Sequence, residues 1–130
     1  MLHYTIPEAP ITKKNSMRMV TNHKTGKMFP MPSKAFIDYQ AAASYYLRPL
    51  PDKPIESPVC VTCVYYMPTR RRVDLTNLLE ATHDMLVKNG VLADDNCRVI
   101  VSVDGSRVHY DKANPRTEIY IREEKSLEPW

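Results

Sequence analysis

The chain has 130 residues, of which 43% are hydrophobic and 25% charged, and a formal net charge of +3. That length suits one domain with one modest core. No stretch approaches the ~18 consecutive apolar residues of a membrane helix, and residues 1–7 have neither the basic start nor the long apolar run of a secretory signal. A single soluble, cytoplasmic domain over residues 1–130 is the expectation.

Residues 2–6 read as a short first strand. Residues 10–33 follow, rich in Lys, Asn, Met and Pro, and read as an irregular basic arm with a candidate hairpin turn at Lys24-Thr25-Gly26-Lys27. Pro32-Ser33 opens a helix with Ser33 as N-cap, running to about Leu47, where Ala41, Ala42 and Ala43 favour helix. Pro49, Pro51 and Pro54 close that segment. Residues 58–67, rich in Val and Tyr, make the best strand in the chain. An amphipathic helix spans about Asp74 to Lys88 and is ended by Gly90. Residues 98–104 and 116–122 read as two further strands. Asp104-Gly105 reads as a turn and residues 123–130 as a frayed tail. The order strand, arm, helix, strand, helix, strand, strand predicts an α+β fold with two main helices packed on a small mixed β-sheet.

Three cysteines argue against a disulfide framework. Cys60 and Cys63 have C-x-x-C spacing, but they fall within a strand, where residues three apart point to opposite faces. They read as ordinary strand cysteines. His3, His23, His83 and His109 show no ligand spacing, and each reads as a partnered or solvated histidine. Tyr65, Tyr66 and Phe36 read as core or sheet surface.

Charge is spread unevenly. Residues 1–72 hold 11 Lys and Arg against 4 Asp and Glu, a balance of +7; residues 73–130 hold 7 against 11, a balance of −4. Between Glu8 and Asp38 there is no acid, while Lys13, Lys14, Arg18, Lys24, Lys27 and Lys34 are all present. Arg70, Arg71 and Arg72 then abut the acidic half. A basic arm beside an acidic cluster suits a site that holds a polyanion and also binds a cation, although charge runs commonly serve as plain solvated surface.

On a helical wheel, Leu75, Leu78, Leu79, Thr82, Met85 and Leu86 share one broad face. Asn77, Glu80, Asp84 and Lys88 share the other, with Asp74 at its edge. The turn at Asn89-Gly90 then delivers Asp94-Asp95-Asn96. Phosphodiester hydrolysis needs a water made nucleophilic at neutral pH and a stabilised leaving oxygen. Magnesium held by a few carboxylates supplies both, and neighbouring arginines can hold the phosphate. Spacing alone fits plainer readings better: Asp74 as an N-cap, Glu80 and Asp84 as a solvated face paired with Lys88, and Asp94-Asp95-Asn96 as a turn.

The stretch Arg70-Arg71-Arg72-Val73-Asp74-Leu75-Thr76-Asn77-Leu78-Leu79-Glu80-Ala81, with Asp84, Gly90 and Asp94-Asp95 after it, resembles the signature of the RusA family of Holliday junction resolvases. Thr12-Lys13-Lys14-Asn15-Ser16, Pro32-Ser33-Lys34 and Asn114-Pro115-Arg116-Thr117-Glu118-Ile119 resemble the family's flanking motifs, in the family's order and across nearly the whole chain. The resemblance implies a Mg2+-dependent endodeoxyribonuclease, with Mn2+ as a substitute, that resolves four-way junctions in DNA recombination and repair. It implies a homodimer, and a small stand-alone enzyme of a kind that suits a prophage. Asp74 and Asp95 match the family's catalytic, metal-binding aspartates, with Asp94 alongside. Thr76 stands where the family often has a second aspartate, and Glu80 where it often has lysine. Glu80 is therefore the first choice, and Asp84 the second, to supply the missing carboxylate. Candidate DNA contacts are Lys13, Lys14, Arg18, Lys24, Lys27, Arg70, Arg71 and Arg72. The alternatives are a dimer of the same fold that binds branched DNA but cuts weakly, and an α+β interaction protein without nucleic acid.

Overall fold

The computed structural model describes residues 1–13 and 17–124. Its strands are β1 (Leu2–Ile6), β2 (Met17–Thr21), β3 (Met28–Pro32), β4 (Val59–Met67), β5 (Ile100–Ser102), β6 (Arg107–Tyr110) and β7 (Arg116–Glu123). The helices are α1 (Lys34–Tyr46), between β3 and β4, and α2 (Leu75–Lys88), between β4 and β5. The main sheet runs β1-β7-β4-β5, with β6 also on β4. β1 and β4 flank β7 antiparallel, while β5 and β6 both lie parallel to β4, at its start and its end. This is the mixed sheet with two helices that the residue pattern predicts.

One face of the sheet forms the core. Tyr4 and Ile6 from β1, Thr117, Ile119 and Ile121 from β7, and Val59, Val61, Cys63 and Tyr65 from β4 alternate inward and are all buried. The strand register aligns them in rows: Tyr4 beside Ile119 beside Cys63, and Ile6 beside Thr117 beside Tyr65. Phe36, Tyr39, Ala43 and Leu47 from the α1 side, and Leu78, Leu79, Ala81, Thr82, Met85 and Leu86 from α2, are buried as well. The wheel face predicted for α2 is the buried one, with Leu75 only half-buried. α2 is latched by a relay: the Tyr65 hydroxyl bonds Thr82 Oγ1 at 2.7 Å, and Thr82 Oγ1 donates to the Leu78 carbonyl at 3.0 Å. Thr82 thus spends its donor on the helix and accepts from Tyr65.

The other face of the sheet is polar. Arg116 lies 3.8 Å above the Tyr66 ring and pairs with Asp111 and Glu118. Burial raises the Glu118 pKa, but hydrogen bonds from Thr5, Arg116 and His3 outweigh it, and the net shift is downward. Cys60 faces this side, beside Ser102 Oγ at 3.5 Å, whereas Cys63 points into the core, where burial pushes its thiol up to about 12. The two thiols are on opposite faces, as strand geometry requires.

Four boundaries differ from the sequence reading. Residues 17–32 are not irregular: β2 and β3 pair with each other around a turn at residues 22–27, in which Gly26 takes φ +73°. The helix begins at Leu75 rather than Asp74, which is its N-cap residue. The strand expected over 98–104 shrinks to Ile100–Ser102, because residues 97–99 form a turn held by Asn96, whose carbonyl accepts from Val99 and Ile100. Glu123 ends β7 rather than starting a frayed tail, and residues 125–130 lie outside the described residues. A seventh strand, β6, was not anticipated. All four of its residues are exposed, so the alternation of Val108 and Tyr110 with Arg107 and His109 marks no buried face.

Candidate nuclease site

The site is built from the outward face of α2 and the turn that follows it. Asp74 occupies the N-cap position, yet its side chain makes no capping bond. Its Oδ2 accepts from Asn77 Nδ2 at 3.2 Å, and the carboxylate stays exposed at the helix start. One reason for an aspartate here, capping, is therefore not used by the fold.

The far end of α2 delivers the second acidic segment. Asn89 caps the helix, Gly90 takes φ +80°, the Gly90 N–H reaches the Val87 carbonyl at 3.1 Å, and the Val91 N–H reaches the Leu86 carbonyl at 2.9 Å. This is the Schellman pattern, which favours glycine because a Cβ resists that φ. The chain is then clamped to the segment before β4: Ile55 N–H donates to the Val91 carbonyl at 3.0 Å and Ala93 N–H to the Ile55 carbonyl at 2.9 Å. Asp94 Oδ1 accepts from the Asp95 N–H at 2.7 Å, and Asn96 Oδ1 from the Arg98 N–H at 2.9 Å. Asp94 thus shapes the turn.

Asp95 comes back to α2. A cavity of about 210 Å³ is lined by Asp95, Asn77, Glu80, Ala81, Asp84, Phe36 and Lys13. The convergence of the helix face with the later turn, which the sequence alone leaves open, is present for Asp95, Glu80 and Asp84. Asp74 reaches this set through its bond to Asn77. Asp94 is not part of the lining. Asp84 also bonds Lys88 at 3.0 Å in an i, i+4 pair, so its charge is partly answered within the helix. Phe36 and Ala81 shape the cavity without polar groups, and they carry no signal in the sequence beyond their place on helices. Asn77 falls on the wheel's polar face.

The predicted cations border the site unequally. Lys13 lines the cavity. Arg70, Arg71 and Arg72 are exposed just before Asp74, and Arg70 lies 4.2 Å from the centre of the Tyr110 ring. Arg18 is on β2, and Lys24 and Lys27 are in the hairpin turn. Lys14 lies outside the described residues, as do Asn15 and Ser16. His83 departs from the reading of a partnered or solvated ring: its Nε2 is buried and has no hydrogen-bond partner among the described residues. Burial pushes its pKa down, against an upward pull from Asp95, a second sign that the Asp95 turn lies against α2.

A family model described as Endodeoxyribonuclease RusA matches residues 7–122 of the chain. The chain belongs to the RusA family. No curated protein matches it. The RusA match spans both acidic segments, the basic arm, the hairpin and nearly all of β7. It therefore assigns the α+β unit apart from β1 and the last residue of β7, rather than one motif within it, to an endodeoxyribonuclease domain. No helix among the described residues is long and apolar enough to cross a membrane.

Proposed function

We propose that this RusA-family chain is a Mg2+-dependent nuclease that resolves four-way DNA junctions as a homodimer, in recombination and repair. The observation that carries the reading is the return of Asp95 to the Asn77–Glu80–Asp84 face of α2 around one cavity. Among the described residues no three His, Cys, Asp or Glu side chains form a ready-made cage for a metal ion. Magnesium does not require one: it is held by one or two carboxylates together with substrate phosphate, and keeps several waters. The lining offers hard oxygen donors and neither thiol nor imidazole, so the donor set fits this ion, or Mn2+, better than zinc.

Asp95 and Glu80 would hold the ion, with Asp74 at the helix start and Asp84 behind them. When bound, the ion lowers the pKa of water and stabilises charge on the leaving oxygen. The chain's own groups do the rest. Asn77 orients the Asp74 carboxylate through its amide. Lys13 and Arg70, Arg71 and Arg72 hold the phosphate backbone, chiefly by charge-assisted contacts that fix position without reading sequence. A four-way junction is approximately two-fold symmetric, so two sites related by a dimer axis would cut it symmetrically.

A gel shift with a synthetic four-way junction tests this reading. The expected outcome is a complex in EDTA, and paired nicks when magnesium is added. Because Thr76 supplies no anion where the family often has an aspartate, a second reading is a junction-binding dimer with weak cleavage. A complex that persists in magnesium without cutting selects it. Absence of any complex removes both.

Glu80→Gln tests the ligand set within the site. It keeps the size of the side chain but removes the charge, and we expect cleavage to fall at least about tenfold while Thr76→Ala changes it little. Glu80→Gln cutting at the wild-type rate would show that Glu80 does not replace the missing carboxylate.

A further inference from the structure

The β2–β3 hairpin is a sheet of its own: among the described residues its two strands pair only with each other. The register sets Met17, Met19 and Thr21 opposite Pro32, Pro30 and Met28, and residues opposite one another share a side of the ribbon. One side is therefore methionine and proline apart from Thr21, and the other holds Arg18, Val20, Phe29 and Met31. Val20 and Met31 are half-buried. The methionine side is open to solvent: Met17 is 42% exposed, Met19 58% and Met28 62%, and Pro30 is exposed beside them. A lone two-stranded ribbon is marginal in water, and a contiguous exposed apolar face marks an interaction site.

Charge selects the occupant. Arg18 is on the ribbon and Lys24 and Lys27 are in its turn, within a stretch from Glu8 to Asp38 that contains no acid. DNA offers phosphates to such cations and, where its stack is interrupted, apolar base faces to such methionines. A second copy of this chain would bring the same cations against these. Pro30 and Pro32 also deprive β3 of N–H donors, which blunts it against strand addition.

We propose that Met17, Met19, Met28 and Pro30 form an apolar wedge that enters the base stack at a DNA branch point while Lys24 and Lys27 in the turn hold the flanking phosphates. The inference rests on the junction-binding reading above and adds a part to it. Met and Pro are among the side chains that proteins insert between base steps. A thioether is flexible and polarisable, so it packs on any base without demanding a sequence.

The test uses a four-way junction with 2-aminopurine beside the crossover, in EDTA so that nothing is cut. Opening of the stack raises the fluorescence of this base. The wild-type protein is expected to raise it by about threefold on the junction and hardly at all on a matched duplex. The double variant Met19→Thr/Met28→Thr replaces exposed side chains with a residue that suits strands. It should still shift the junction, with weaker affinity, but leave the fluorescence near that of free DNA. Met28→Thr alone repeats the test if circular dichroism shows the double variant unfolded. A variant that raises fluorescence as the wild type does overturns the wedge. So does a wild-type complex without a rise, which leaves the nuclease reading standing; absence of any wild-type complex overturns both. A variant that becomes monomeric in sedimentation while the wild type is dimeric would give this face to a second copy and also overturn the proposal.

Discussion

Asp95→Asn is expected to lower single-turnover cleavage of a four-way junction by at least about a hundredfold, while complex formation in EDTA stays within about threefold of wild type. The substitution keeps the side chain's size and its ability to accept hydrogen bonds, but removes the negative charge that a divalent ion requires. The fold has little reason to object. Asp95 is exposed, its own N–H is held by Asp94, and the turn around it is fixed by Gly90, Ile55 and Asn96 through main-chain bonds that the change leaves in place. Binding to DNA is led by the cations, so losing one carboxylate beside a phosphate track should not weaken it. Quenched-flow cleavage and a gel shift on the same preparation separate the two quantities. If the Asn protein cuts as fast as the wild type, Asp95 is not a metal ligand and the cavity is not the catalytic centre.

The parts of the fold that sequence reasoning finds are those where burial is one-sided. α2 has a leucine stripe on one side and acids on the other, and its buried set matches the wheel apart from the half-buried Leu75 and the additional buried Ala81. β4 and β7 alternate, because only one face of the sheet is covered by helices. β6 is invisible for the converse reason: every side chain is exposed, and it is held by main-chain pairing to β4 and by surface ring contacts, His109 on Tyr66 and Tyr110 under Arg70. The hairpin is half visible. Its turn is marked by Gly26, but its strands alternate methionine with other apolar and basic residues and give no period-2 contrast of buried and polar. The same logic applies to the site. The carboxylates are legible as residues on one helix face. Their meeting with Asp95 depends on the Schellman turn and the Ile55 clamp, which join segments about 40 residues apart in sequence. Phe36 and Lys13 join the cavity from α1 and the arm, and no local pattern announces such contacts.

Leu86→Ala should destabilise the protein by about 2–5 kcal/mol, a large share of the roughly 5–15 kcal/mol that holds a domain of this kind together. Leu86 is fully buried in the core between α2 and the sheet, in the last turn of the helix. Truncation removes apolar contact and leaves a cavity that a close-packed core closes only in part. Its main-chain carbonyl has a separate task, accepting the Val91 N–H at 2.9 Å and the Leu92 N–H at 3.3 Å where the chain turns toward Asp95, and that group is the same in alanine. The variant should therefore melt about 10 °C lower, yet cut a junction at a temperature where it is fully folded within about tenfold of the wild-type rate. Thermal denaturation by circular dichroism and cleavage at low temperature measure the two effects. This is the reverse of the pattern expected for Asp95→Asn, in which the melting temperature holds and cleavage disappears. An unchanged melting temperature for Leu86→Ala would mean that α2 is not anchored through its leucine stripe, and the placement of its acidic face against the Asp95 turn would lose its physical support.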